Sequence, residues 1–181
     1  MNYLNSFELM SAVTQKQKIS CILIGGFAIN FYNVVRQTTD IDFLITKDDY
    51  AKILPVLNEQ GYKVTRQNDV FVNLESSNQR LIDLDYMFID QEVFDKILQD
   101  GRQVQVAKGT FIIPSLNHLI ALKLHSIKGN PKRELKDLPD IVGLIENNAV
   151  DVLSKPFEQL CLKYGNSDLL EKIRKFIRKQ S

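Results

Sequence analysis

Ile22-Leu23-Ile24-Gly25-Gly26-Phe27-Ala28, followed later by Asp40-Ile41-Asp42-Phe43-Leu44-Ile45, is the stretch that decides how this chain is read. A β-rich run over Ser20–Ile24 stops at two glycines, and a helical pattern resumes over Phe27–Val35. Glycines carry no Cβ, so their backbone N–H groups can approach a ligand closely, and the start of a helix favours phosphate. Thirteen residues counted from Phe27 then lead to Asp40. Along Asp40–Ile45, Ile41, Phe43 and Ile45 alternate with Asp40, Asp42 and Leu44. The spacing predicts a strand with one buried face and two carboxylates side by side on the other. Acids are poor strand formers, and two close carboxylates repel unless a cation lies between them. The competing explanation is a solvated sheet edge.

Leu81-Ile82-Asp83-Leu84-Asp85-Tyr86-Met87-Phe88 repeats the pattern within a strand predicted over Arg80–Phe88. Were it to lie beside Asp40–Ile45, three carboxylates would converge. Such a cluster suits two magnesium ions about 3.5–4 Å apart. Asp83 and Asp85 share a face, so alternation leaves both open as the third acid. Zinc is disfavoured: Cys21 and Cys161 are the only thiols, and His118 and His125 fall in an apolar helical stretch suited to packing.

Working outward, 181 residues with 44% hydrophobic and 25% charged side chains fit one domain, or a small core with a helical appendage. That balance excludes disordered, collagen-like and disulfide-scaffold classes. Apolar runs such as Cys21–Ile24 are far too short to cross a bilayer, and Met1–Phe7 lacks the features of a secretory signal. A cytoplasmic, membrane-free protein is expected. The net charge of +1 conceals +2 over residues 1–39, −7 over 40–100 and +6 over 101–181. An acidic middle beside a basic end suits a metal site next to a polyanion, although solvated helix faces give the same totals.

The remaining pattern predicts helices over Phe7–Lys18, Asp48–Gln60 and Gln91–Leu98, and strands over Tyr62–Thr65 and Val70–Leu74. A hairpin is expected over Val104–Ala107 and Thr110–Ile113. From Pro114-Ser115 the texture turns helical: Leu116–Ile127 with Ser115 as N-cap, Arg133–Asn147 with a kink or break at Pro139, Asp151–Tyr164 and Ser167–Lys179. The expected fold class is therefore α/β (α+β), a mixed sheet flanked by helices. Residues 1–114 form the expected core, and residues 115–181 a helical region packed on it.

Gly25-Gly26, the spacer and Asp40-Ile41-Asp42 resemble the signature of the polymerase-beta-type nucleotidyltransferase superfamily, in which a third acid follows on a later strand. Within it the chain looks most like the AbiEii-like nucleotidyltransferases of abortive-infection and toxin–antitoxin systems. Arg36, Thr38 and Thr39 match an Arg-x-Thr element before Asp-x-Asp. Leu119–Leu124 match a late Leu-Ile-x-x-Lys-Leu helix, and Arg133, Lys136, Asp137 and Asp140 match Arg-x-x-Lys-Asp-x-x-Asp. The resemblance spans about residues 20–146. It implies Mg2+-dependent transfer of an NMP group from an NTP to a hydroxyl. Asp40, Asp42 and Asp85 would be the catalytic and metal-binding acids, with Asp85 preferred because Asp85–Asp90 resembles the family's stretch before its next helix. Gly25 and Gly26 would hold phosphates, with Arg36, Thr39 and Lys123 as further nucleotide ligands. RNA (tRNA among it), a protein or a small molecule would be the acceptor, and an antitoxin the partner.

Several of these residues have plainer readings. Arg36 could pair with an aspartate, Lys123 could snorkel to the surface, and Lys136 could pair with Asp140 one helical turn on. The basic tail of Lys172, Arg174, Lys175, Arg178 and Lys179 reads as a docked helix with a solvated face, or as an RNA contact. A non-catalytic nucleotide- or partner-binding module on the same fold is the alternative function, and an RNA-binding protein is a third.

Overall fold

The computed structural model describes residues 3–180, and of Lys179 and Gln180 the backbone only. The first two residues of the segment read for a signal, and the side chain of Lys179 in the basic tail, lie outside the described residues. The chain forms two compact units, Met1–Ala28 with Gln37–Pro114 and Ile29–Arg36 with Ser115–Ser181. The sequence reading divides the chain once, after Pro114, whereas the structure also gives Ile29–Arg36 to the helical unit.

The first unit is a mixed α/β layer. Its strands are β1 (Ile22–Leu23), β2 (Asp40–Ile45), β3 (Tyr62–Gln67), β4 (Phe71–Ser76), β5 (Asp83–Phe88), β6 (Arg102–Val106) and β7 (Gly109–Ile113). They form one seven-stranded sheet in the order β3-β4-β5-β2-β1-β7-β6. The β2–β5 and β1–β7 pairs are parallel and the other neighbours antiparallel. Helices α1 (Ser6–Gln17), α3 (Lys47–Glu59) and α4 (Gln91–Gln99) belong here, and α2 (Gly25–Asn30) begins here.

Period-two alternation explains the core. Ile41, Phe43, Val72, Leu84 and Tyr86 are buried on one face of the sheet. Phe43 stacks on Tyr86 at 5.7 Å, Tyr50 of α3 meets Tyr86 at 5.4 Å, and the Tyr86 hydroxyl donates to Met10 Sδ of α1 at 3.0 Å. Burial of each such aromatic contributes roughly 1.5–3 kcal/mol. At the start of β5, the Tyr62 hydroxyl donates to the Ile82 carbonyl (2.8 Å) and the Ile82 N–H donates to Ser6 Oγ (2.8 Å). This anchor sets where the strand carrying Asp83 and Asp85 begins.

That strand starts at Asp83, not at Arg80, because Asn78 turns the chain: its Oδ1 accepts from Arg80 N and its carbonyl from Leu81 N. The helix expected over Phe27–Val35 ends at Asn30. Asn30 uses its side chain to bind both the N–H (2.8 Å) and the carbonyl (3.2 Å) of Arg36, and Asn33 turns left-handed at φ 61°. Local side-chain bonds of this kind compete with helix continuation.

The second unit contains α5 (Leu116–Gly129), a 3-10 turn (Pro131–Arg133), α6 (Glu134–Asn147), α7 (Lys155–Tyr164) and α8 (Ser167–Gln180). Ser115 caps α5 by accepting from His118 N. Pro139 sits inside α6 without breaking it. Helix α7 begins at Lys155 and not at Asp151, because Asp151 accepts from Leu153 N and Ser154 supplies the N-cap. Segment Ile29–Arg36 is held in this unit by Asn147 and Asn148, whose amides donate to the carbonyls of Asn33 (2.7 Å) and Tyr32 (2.9 Å).

Candidate functional site

The parallel pairing of β2 with β5 places Asp40 opposite Asp83 and Asp42 opposite Asp85. Residues in register on adjacent strands share a face, so all four carboxylates project together. Asp40, Asp42 and Asp85 each offer an oxygen, and the three oxygens lie within 4.8 Å of one another. Asp83 is outside that group; its Oδ1 accepts the Ser76 N–H at 3.0 Å. The structure thus distinguishes two acids that alternation could not.

The glycine turn is fitted to this cluster. Gly25 is left-handed at φ +64°, and a Cβ placed on it would lie 1.8 Å from Asp42 Oδ2. Asp42 therefore occupies the space that any other residue at position 25 would fill. A Cβ on Gly26 would come within 2.9 Å of Thr38 Cβ, and the Thr38 hydroxyl sits 2.7 Å from Asp40 Oδ1. Both glycines are thus required by the two strand acids before any ligand is considered. The following helix α2 is only six residues long, so its dipole adds little, and what the glycines supply is space for the Asp42 and Thr38 side chains. Thr39 is exposed just ahead of β2.

Three hard carboxylate oxygens so close together match the donor set of an oxygen-bound divalent cation, and among the described residues no thiol or imidazole joins them. The site fits magnesium.

Arg36 and Lys123, predicted as nucleotide ligands, take part in a charged network within the second unit. Arg36 bonds to Asp140 through Nη1. Lys123, only 8% exposed, lies 2.8 Å from both Asp137 Oδ1 and Asp140 Oδ2. Asp137, fully buried, also accepts from Arg133 Nε (2.8 Å) and Ser126 Oγ (2.9 Å). Burial pushes the Asp137 carboxyl up, but the Arg133 hydrogen bond, the charge and hydrogen bond of Lys123 and the Ser126 hydroxyl hold it below its ordinary value. Lys123 is buried and paired, so it does not snorkel. Asp140 pairs with Arg36 and Lys123; Lys136 is exposed. Asp137, read from sequence only as part of a motif, is the hub of the network.

In the basic tail, Lys172 pairs with Glu134 at 2.7 Å and Arg174 with Glu158 at 2.9 Å, which reduces the charge available to RNA. Burial pushes the Cys21 thiol up to about 12 and the Cys161 thiol up to about 11, so both are inert packing residues. Among the described residues, no helix is long and apolar enough to cross a membrane.

A mixed sheet presenting a glycine turn and three converging aspartates is the architecture of a nucleotidyltransferase. Over residues 2–179 the chain matches the model of a family described as an uncharacterised nucleotidyltransferase, and it belongs to that family. No curated protein matches it. Among solved structures it is similar to ANT(2")-Ia in complex with adenylyl-2"-tobramycin, at 15% identity and a TM-score of 0.59 over 92% of this chain and 93% of that one. The lincomycin-bound lincosamide antibiotic adenylyltransferase LnuA is similar at 16% identity and a TM-score of 0.55, over 79% of this chain and 94% of that one. The Megavirus polyadenylate synthase is similar at 13% identity and a TM-score of 0.54, over 79% of this chain and 32% of that one. These likenesses concern the fold.

Proposed function

We propose that this protein transfers the NMP group of an NTP to a hydroxyl acceptor, using Asp40, Asp42 and Asp85 with Mg2+. The convergence of these three carboxylates carries the reading. Two magnesium ions held there would make the acceptor hydroxyl more acidic and balance the charge of the triphosphate. Asp85, on the side of the cluster away from Gly25, takes the hydroxyl proton as general base. The acceptor oxygen bonds to the α-phosphorus as the bond to the bridging oxygen breaks, and pyrophosphate leaves with that electron pair. The backbone N–H groups of Gly25 and Gly26 hold the phosphates, and Thr39 is a further proposed nucleotide ligand. Arg36 and Lys123 are further proposed nucleotide ligands, although both are paired with Asp140.

The resemblance to AbiEii-like proteins supports a toxin or phage-defence setting in the cytoplasm, with tRNA, another RNA or a protein as acceptor and an antitoxin as partner. The adenylylated tobramycin in ANT(2")-Ia supports a small-molecule hydroxyl instead. The test incubates each α-labelled NTP and Mg2+ with the protein and cellular RNA, protein or tobramycin. Label that requires Mg2+ and vanishes in Asp42→Ala is the expected result. NTP binding without any transfer would refute catalysis and favour the non-catalytic module.

A further inference from the structure

The row of residues running from the acid cluster toward the edge of the sheet has no role in the reading above. Asp85 faces Asn73 across the β4–β5 pair, and Asn73 faces Arg66 across the β3–β4 pair. Directly opposed residues project from the same face, so Asp42, Asp85, Asn73 and Arg66 form one line across four strands. Arg66 reaches that line only because of an irregularity. The β3–β4 register runs Lys63 against Glu75 and Val64 against Leu74, then shifts so that Arg66, in place of Thr65, meets Asn73. An extra residue in a strand re-aims the side chains beyond it, and such bulges are common beside active sites. Without this one, Thr65 would stand on the acid face and Arg66 would point to the other.

The re-aimed arginine is presented and not neutralised. Its guanidinium carbon lies 5.8 Å from the centre of the Phe71 ring, which is on the same face, and it makes no ion pair among the described residues. Lys63, the other cation on this face, stands opposite Glu75. The Asn73 side chain, half-buried between Arg66 and Asp85, makes no hydrogen bond among the described residues and keeps donors and an acceptor for a ligand. Arg66 stands two strands from Asp85, a backbone separation of roughly 9–10 Å. That spacing leaves room for a hydroxyl at Asp85 and an anionic group at Arg66 on one molecule.

We propose that this row is the acceptor subsite and that it selects a phosphate-bearing acceptor. The hydroxyl lies at Asp85, Asn73 holds the intervening polar groups, and Arg66 binds a phosphate through its planar fork. The proposal rests on the nucleotidyl-transfer reading for the role of Asp85, and on the bulge and register for the role of Arg66. A free nucleotide and an RNA 3′ end share the required chemistry.

Binding is measured first, in EDTA, by titrating a short labelled oligoribonucleotide and, separately, a nucleoside monophosphate into wild type, Arg66→Gln, Arg66→Lys and Asn73→Ala. Arg66 is exposed, so its variants keep the wild-type melting curve. Arg66→Gln should weaken binding roughly tenfold, with partial rescue by Arg66→Lys and a shallower salt dependence. Binding of the oligoribonucleotide alone identifies a polymer end as the source of the phosphate. Binding of the monophosphate with the same dependence on Arg66 identifies a small phosphorylated acceptor. In the Mg2+ assay, Arg66→Gln should raise the acceptor KM and leave the NTP KM unchanged. No binding of either probe, binding indifferent to Arg66, or equal changes in both KM values would overturn the subsite. Wild-type protein that binds through Arg66 yet transfers no label would overturn the nucleotidyl-transfer reading and leave a phosphate-binding face.

Discussion

Replacing Gly25 by alanine tests whether the glycine turn and the acid cluster are one object. The new Cβ would lie 1.8 Å from Asp42 Oδ2, where contacts shorter than 3.0 Å are essentially never seen, so the carboxylate must retreat by about 1.2 Å. Metal–ligand distances tolerate only about ±0.2 Å, so one of three ligands would be lost to the ion. The left-handed backbone at φ +64° adds a penalty of about 1–2 kcal/mol. For a chain of this length that lowers the melting temperature by roughly 2–8 °C and leaves it folded. Divalent-ion affinity should fall much further, roughly 10–100-fold. Titrating Mn2+ into wild type, Gly25→Ala and Asp42→Ala with detection by electron paramagnetic resonance measures this, and a thermal melt of each reports the fold. Gly25→Ala with wild-type affinity, beside Asp42→Ala with none, would refute the argument that the turn sets the carboxylate.

Other expectations follow from single side chains. Asp85→Asn should lower transfer by about 10²–10⁴-fold, whereas Asp83→Asn should leave the rate within severalfold, because the Asp83 carboxylate accepts the Ser76 N–H and lies outside the three-oxygen cluster. Asp137→Asn breaks a buried charge network; with Asp140 still beside Lys123 the cost is about 3 kcal/mol, readable by urea unfolding. The folded-state value of the Asp137 carboxyl is depressed, so its contribution is full above the ordinary carboxylate pKa and is lost as pH falls through the depressed value. Wild type should therefore lose stability below about pH 4 more steeply than Asp137→Asn, as urea curves at pH 5 and pH 3 would show. Iodoacetamide at about pH 8 should label neither Cys21 nor Cys161 until the chain is unfolded, because both thiols are buried and titrate well above that pH.

Alternation along one strand is an intrachain property, so Ile41 and Phe43 inside with Asp40 and Asp42 outside could be read directly from the sequence. The same holds for the strand that stops at Gly25-Gly26 and for the cap Ser115. Each depends on atoms a few residues apart. The choice between Asp83 and Asp85 was beyond reach on that basis, because both lie on one face. The β2–β5 register, a pairing of segments some forty residues apart that no local pattern encodes, brings both beside Asp40 and Asp42. Only the spacing of the carboxylate oxygens groups Asp85, and not Asp83, with that pair. The bulge that turns Arg66 toward Asn73 is equally silent, since nothing in Val64-Thr65-Arg66 marks the residue the partner strand will skip. Lys123 shows the same division. The sequence alone placed a lysine in an apolar helix, either to be buried with a partner or to snorkel. Tertiary packing buried it and supplied Asp137 and Asp140, because burying an ammonium without a carboxylate costs more than the helix can return.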